Sequence, residues 1–147
     1  MGQPNGISLS EVSISLEHET WGDRTTITLS GKGTGERVRR TVEDETTTTS
    51  IAVEPKEVFA LLEYCFKERF FHLAASYGVS DSVRLDPGGK LLFSSVTISD
   101  ATTETITVQL GAYKKSVSFL RDEGDPPPAL LELSKRITGI SERLVPP

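Results

Sequence analysis

The feature that bears hardest on the fold is a two-residue alternation. Apolar side chains fall at every second position through Ile7 and Leu9, then Val12, Ile14 and Leu16, and again at Ile27 and Leu29 against Thr26, Thr28 and Ser30. A strand with one buried face needs that period, because successive side chains point to opposite sides. The change of parity between Leu9 and Val12 marks a bulge or a late strand start. HETWGD joins the two runs as a hairpin connection. GKGTGE then breaks the chain before a third strand, Arg37 to Val42, whose only apolar residues, Val38 and Val42, place it at a sheet edge. Glu43 to Ser50 has no apolar residue and is expected to be a mobile loop.

The period changes at Glu54-Pro55, where proline fits the first helical turn and Glu57 complements the positive end of the helix dipole. On a helical wheel Val58, Phe59, Leu61, Leu62, Cys65, Phe66, Phe70 and Leu73 share one side. Arg69 falls inside that stripe and Phe71 outside it. The helix is therefore expected to end near Lys67 to Arg69, with RFFHL filling the core irregularly. A helix continued to its glycine stop at Tyr77-Gly78 would instead leave Phe71 exposed as a contact residue. Strand patterns follow between residues 82 and 120: a short piece to Leu85, the turn DPGG, KLLFSSVTIS, the turn SDATTE, ETITVQL, the turn GAYK and KSVSFL. RDEGDPPP is a linker, and its last proline opens a second helix, Ala129 to Arg143, with Leu130, Leu133, Ile137 and Ile140 on one stripe. The expected class is α+β: a mostly antiparallel sheet in the order strand pair, helix, strand meander, helix, with two helices packed on one face. One domain spans residues 1–147, with flexible ends at 1–6 and 144–147.

Charge and length narrow the functions. A net charge of −5 and a pI near 5.1 argue against binding a nucleic-acid backbone, which rests on clustered cations. No run approaches the roughly 18 to 20 apolar residues of a membrane helix. The N-terminus MGQPNGISLS has neither a basic region nor an apolar core, so the chain as it stands is expected in the cytoplasm, or outside it if a leader has been removed.

Candidate chemistry is sparse. Cys65 lies within the apolar arc, where a thiol is shielded and inert. His72 sits at the arc's edge, and an enzyme using it would need a partner base or acid that no motif supplies. SGKGTGE fails as a phosphate loop, with Thr26 where the first glycine belongs and Gly33 after the lysine. In EHETWGD strand alternation keeps His18 and Glu19 from converging, so no metal is expected, and no cofactor fingerprint is present. Arg37, Arg39 and Arg40, followed by Glu43, Asp44 and Glu45, read as a self-neutralising edge. The remaining expectation is a non-catalytic protein-binding domain, its surface formed by Trp21, Gly22, Asp23 and Arg24 at the hairpin tip, the Thr-rich loop, and Phe71. A structural or self-associating domain is the alternative.

The strand pair, VFALLEYCFKERFFHLAASYG, TISDATTETITVQLGAYKKSVSF and PPALLELSKRI together resemble a family of small bacterial domains of unknown function, often secreted, in which Gly111, Lys114 or Lys115, Val117 and Pro128 match the tail. The layout is also similar to emfourin-type metalloprotease inhibitors, whose helix ends in paired phenylalanines followed by leucine, here Phe70, Phe71 and Leu73. Those inhibitors carry a Gly-Gly-Phe turn where this chain has Glu19-Thr20-Trp21-Gly22. The resemblance implies a small inhibitor-like domain acting through its first hairpin.

Overall fold

The computed structural model describes residues 6–77, 80–96, 102–121 and 126–143. Four strands, β1 (Val12–Thr20), β2 (Asp23–Ser30), β3 (Thr34–Arg40) and β4 (Thr46–Ala52), precede helix α1 (Pro55–Lys67). A 3-10 turn at Phe70–His72 leads to β5 (Ser76–Tyr77), β6 (Ser80–Leu85), β7 (Leu91–Val96), β8 (Thr103–Leu110), β9 (Tyr113–Leu120) and helix α2 (Pro128–Ser141). Seven strands form one sheet in the order β4-β3-β2-β1-β8-β9-β5, in which only the β5–β9 pair is parallel. β6 and β7 make a separate two-stranded sheet.

The expected fold class needs correction. Four strands come before the first helix, where a strand pair with a third strand at its edge was expected; the sheet is mixed, and the architecture is dominated by that sheet rather than by an exchange of strands and helices. Two physical reasons account for the difference. TTTTS carries no apolar residue, yet threonine is β-branched and suits a pleated edge that buries almost nothing, so Thr46–Ala52 pairs along the whole of β3. The third strand correspondingly ends at Arg40, and Val42 belongs to the turn. The second reason is that β8 has both edges occupied, by β1 and β9, so the expected meander cannot continue from β7 into β8. The end of the KLLFSSVTIS segment, the first half of the SDATTE turn, Gly78, part of RDEGDPPP, and the flexible ends expected at 1–6 and 144–147, apart from Gly6, lie outside the described residues.

Register decides which face is buried. Val12, Ile14 and Leu16 on β1 stand opposite Leu110, Val108 and Ile106 on β8, while Ile14 and Leu16 stand opposite Leu29 and Ile27 on β2. All of these are buried, together with Val117 and Phe119 of β9 and Ile51 of β4. Both helices close this face: Val58, Leu61 and Cys65 of α1 and Leu130, Leu133, Ile137 and Ile140 of α2 join the same core. The helices touch one another through the Arg136 guanidinium, 4.2 Å from the Tyr64 ring centre, and through an Arg143–Glu57 ion pair.

Among the described residues no helix covers the opposite face over the central strands. Ser13, Ser15, Thr26, Thr28, Thr105, Thr107, Ser116 and Ser118 line it, which is where much of the serine and threonine of the chain resides. The Thr105–Ser118 and Thr107–Ser116 hydroxyl pairs, each at 2.8 Å, bridge β8 and β9.

α1 stops because Arg69 adopts a left-handed conformation (φ 58°), after which the 3-10 turn buries Phe70 and half-buries Phe71. That turn places Phe71 against Phe66, Phe70 and Tyr113 at centroid distances of 4.9, 5.6 and 5.8 Å.

One glycine is indispensable to the closure of the strand start. A Cβ at Gly31 would lie 1.9 Å from the Leu9 carbonyl oxygen, and the Gly31 N–H donates to the Val12 carbonyl at 2.9 Å. Gly31→Ala is expected to cost about 1–3 kcal/mol. Gly139→Ala, on the exposed side of α2 with no atom within 4 Å of the added carbon, is expected to stabilise by up to about 1 kcal/mol. Urea unfolding of the two variants checks both signs.

Candidate functional site

The buried parity does not end where the helices end. Following β1 outward, Leu16 is succeeded on the same face by His18 and Thr20, and the register carries that row across the sheet as Glu104, His18, Thr25, Arg39 and Thr47. The next row inward runs Ile106, Leu16, Ile27, Arg37, Thr49. One end of the helix-covered face is therefore polar.

Its inner half is a closed cluster. The Glu104 side chain is 1% exposed; one carboxylate oxygen accepts from the Ser134 hydroxyl at 2.7 Å and the other is 2.7 Å from His18 Nδ1, with Arg121 4.0 Å away. A buried carboxylate is tolerable only with such partners. Ser134 and His18 each bond to Glu104 and not to each other, so the cluster lacks the nucleophile-to-base contact of a hydrolase.

Its outer half is an open hollow of about 440 Å³ lined by Thr25, Arg37, Arg39, Thr47 and Thr49. α2 reaches β8 through Ser134, and Arg143, just past its end, lines a second hollow with Ile51 of β4; this corner of β2, β3 and β4 stays open. Arg39 donates to Asp23 at 3.2 Å, and Arg37 has no ion pair among the described residues. The self-neutralisation expected for the arginines extends only to Arg40, paired with Asp44, and to Arg39, paired with Asp23.

The hairpin tip stands at the same end. Thr20 pairs with Asp23, so Trp21 and Gly22 form a two-residue turn with φ of 52° and 85°. Both positive values define the primed turn that suits strand twist and favours Asn-Gly, so a tryptophan in the first position is strained. Trp21 is 70% exposed, and so is much of Val42 in the adjacent β3–β4 turn. A Cβ on Gly22 would lie 2.8 Å from Val42, and the Val42 N–H donates to Asp23 at 3.2 Å.

Of the residues expected to form a surface, Trp21, Gly22 and Asp23 are thus assembled with Val42. Arg24 is not, because it faces the other side of the sheet, held by Glu19 at 2.8 Å and Glu17 at 3.3 Å. Phe71 lies near Tyr113, at the Val12 end of the sheet, about 26 Å along β1 from the tip. His72 is exposed, and no side chain bonds to it among the described residues. Sequence reasoning missed Glu104, read Arg37 and Arg39 only as part of a self-neutralising edge, and reached Thr47 and Thr49 only as members of a Thr-rich loop. Continued parity was the available signal, since Glu104 precedes Ile106, Val108 and Leu110 in step.

No protein-family model, curated protein or solved structure matches the chain. Among the described residues no helix is long and apolar enough to cross a membrane, and no three His, Cys, Asp or Glu side chains converge as a metal site would require.

Two outcomes test this description. Glu104→Ala, which strands His18 and Ser134, is expected to cost about 3 kcal/mol, and Ser134→Ala about 1 kcal/mol, by urea unfolding. Cys65 is fully buried, and that burial pushes its thiol up to about 12. A thiol raised in the folded state contributes stability that is complete below its unfolded value, about 8.5, and is lost as pH rises towards 12, at about 1.4 kcal/mol per pH unit. Cys65→Ala should flatten the alkaline fall in stability by that slope, and iodoacetamide should label the wild-type thiol only on unfolding.

Proposed function

We propose that the chain is a non-catalytic protein-binding domain whose contact surface is the hairpin end of the sheet: Trp21 and Gly22 with Val42 beside them and Asp23 beneath. One observation carries this reading. A large apolar side chain is held 70% exposed in a strained left-handed turn, where it contributes little to the core. Tryptophan at a rigid, exposed position loses little freedom on contact and is a common hot-spot residue. The Val42 N–H, donating to Asp23, ties the tip to the neighbouring turn and supports a preformed contact surface. An inhibitor, as the family resemblance implies, is one form of such a domain, its tip entering the cleft of a protease. The separation of Ser134 from His18 supports binding over catalysis.

Immobilised wild-type and Trp21→Ala domains, incubated with extract of the native cells, test the reading. The substitution is expected to weaken capture of the partner by 2 kcal/mol or more while changing stability by less than about 0.5 kcal/mol. Phe71→Ala, at the other end, is expected to lose stability and retain capture. Equal capture by wild type and Trp21→Ala would overturn the proposal.

A further inference from the structure

The Arg-Thr hollow has a chemistry that the hairpin tip alone does not explain. Two guanidinium groups two residues apart on β3 point to the same side, flanked in register by threonines of β2 and β4. Arg37 forms no ion pair, and the hydroxyls of Thr25, Thr47 and Thr49 form no side-chain hydrogen bonds, among the described residues. A planar donor fork beside free hydroxyls is the arrangement that recognises an oxygen anion. The basic corner is set on a chain of net charge −5, so it is a local reversal of sign rather than part of a general positive surface.

We infer that this hollow takes a carboxylate of the partner, an Asp or Glu side chain or a chain-terminal carboxyl, seated between Arg37 and Arg39. The inference rests on the protein-binding reading, because Asp23 joins the hollow to the Trp21 turn. Charge selects the carboxylate over a phosphate: Asp23 already engages Arg39, so two cations and one anion leave a single positive charge, which one carboxylate balances and a phosphate dianion exceeds. Arg37 makes the paired contact. Arg39, oriented by Asp23, and the threonine hydroxyls complete it.

The test uses the intact domain and a small probe. Amide and arginine side-chain NMR shifts are followed while N-acetylglutamate amide is added at constant ionic strength, with the neutral glutamine analogue and inorganic phosphate as parallel titrations. The expected result is saturable shifts centred on residues 25, 37, 39, 47 and 49 with the carboxylate alone, weakened about tenfold in Arg37→Gln, the effect of losing one charge-assisted hydrogen bond. Arg37→Lys, which keeps the charge but not the fork, should bind with intermediate strength, and unchanged spectra elsewhere show that both variants fold. Linear, unsaturable shifts, equal binding by Arg37→Gln, or tighter binding of phosphate would each overturn the inference. A positive titration with no Trp21-dependent capture would refute the protein-binding reading alone. Trp21-dependent capture with no carboxylate response would refute the hollow alone.

Discussion

Everything in this domain depends on β1 holding its register between two partners at once. β1 is the central strand, and its Val12, Ile14 and Leu16 supply the middle of the core because β2 and β8 meet them with the same parity. A slip of one residue on either side would turn a buried row outward and bring a serine row in. The parity of β1 therefore also decides which face the two helices cover and which face is left to hydroxyls. The short two-residue turn between β1 and β2 fixes one of the two registers locally, whereas the β8 pairing has to be found across the chain.

The same parity explains why a polar site exists at all on the helix-covered face. The helix-facing rows of β2, β3 and β4 run on past the residues that the helices bury and into an open hollow. Where cover persists, a polar residue in the inward row must be fully satisfied, as Glu104 is by Ser134 and His18. Where cover ends, inward residues face water, and arginine and threonine can occupy the row without loss. The contrast between a sealed carboxylate and an open cationic corner on one row is thus a difference in cover along that row.

Local elements were legible in the sequence to the extent that their signals were local. The first hairpin, the proline-opened helices and the break after Lys67 follow from turn chemistry and from the misfit of Arg69 and Phe71. The four-stranded start was not legible, because β4 is a threonine strand without apolar marking and resembles a loop in composition. The parallel β5 pairing was also hidden, since two residues give no periodic signal. Of the site, the sequence pointed to Trp21, Gly22 and Asp23 by their turn. It did not distinguish Arg24, which differs from Asp23 only in parity and so lies on the other face. Glu104, Arg37 and Arg39 required knowing that rows from separate strands meet, which is information held in the register and not in any one segment.

The pairing of β1 with β8 has a further consequence for how the chain becomes a folded protein. Residues 12 to 52 can form a four-stranded meander from neighbouring hairpins, but the central position of β1 leaves its second edge open until residues 103 to 110 arrive. Contacts so distant in sequence are slow to form, because a long loop must close before they stabilise anything. The apolar face of the meander meanwhile awaits α2, the last helix of the chain, whose residues complete the core. During synthesis on the ribosome the N-terminal half is therefore an open-edged sheet whose apolar face has only α1 for cover, and its exposed edge is at greatest risk of pairing with another nascent chain until β8 has emerged.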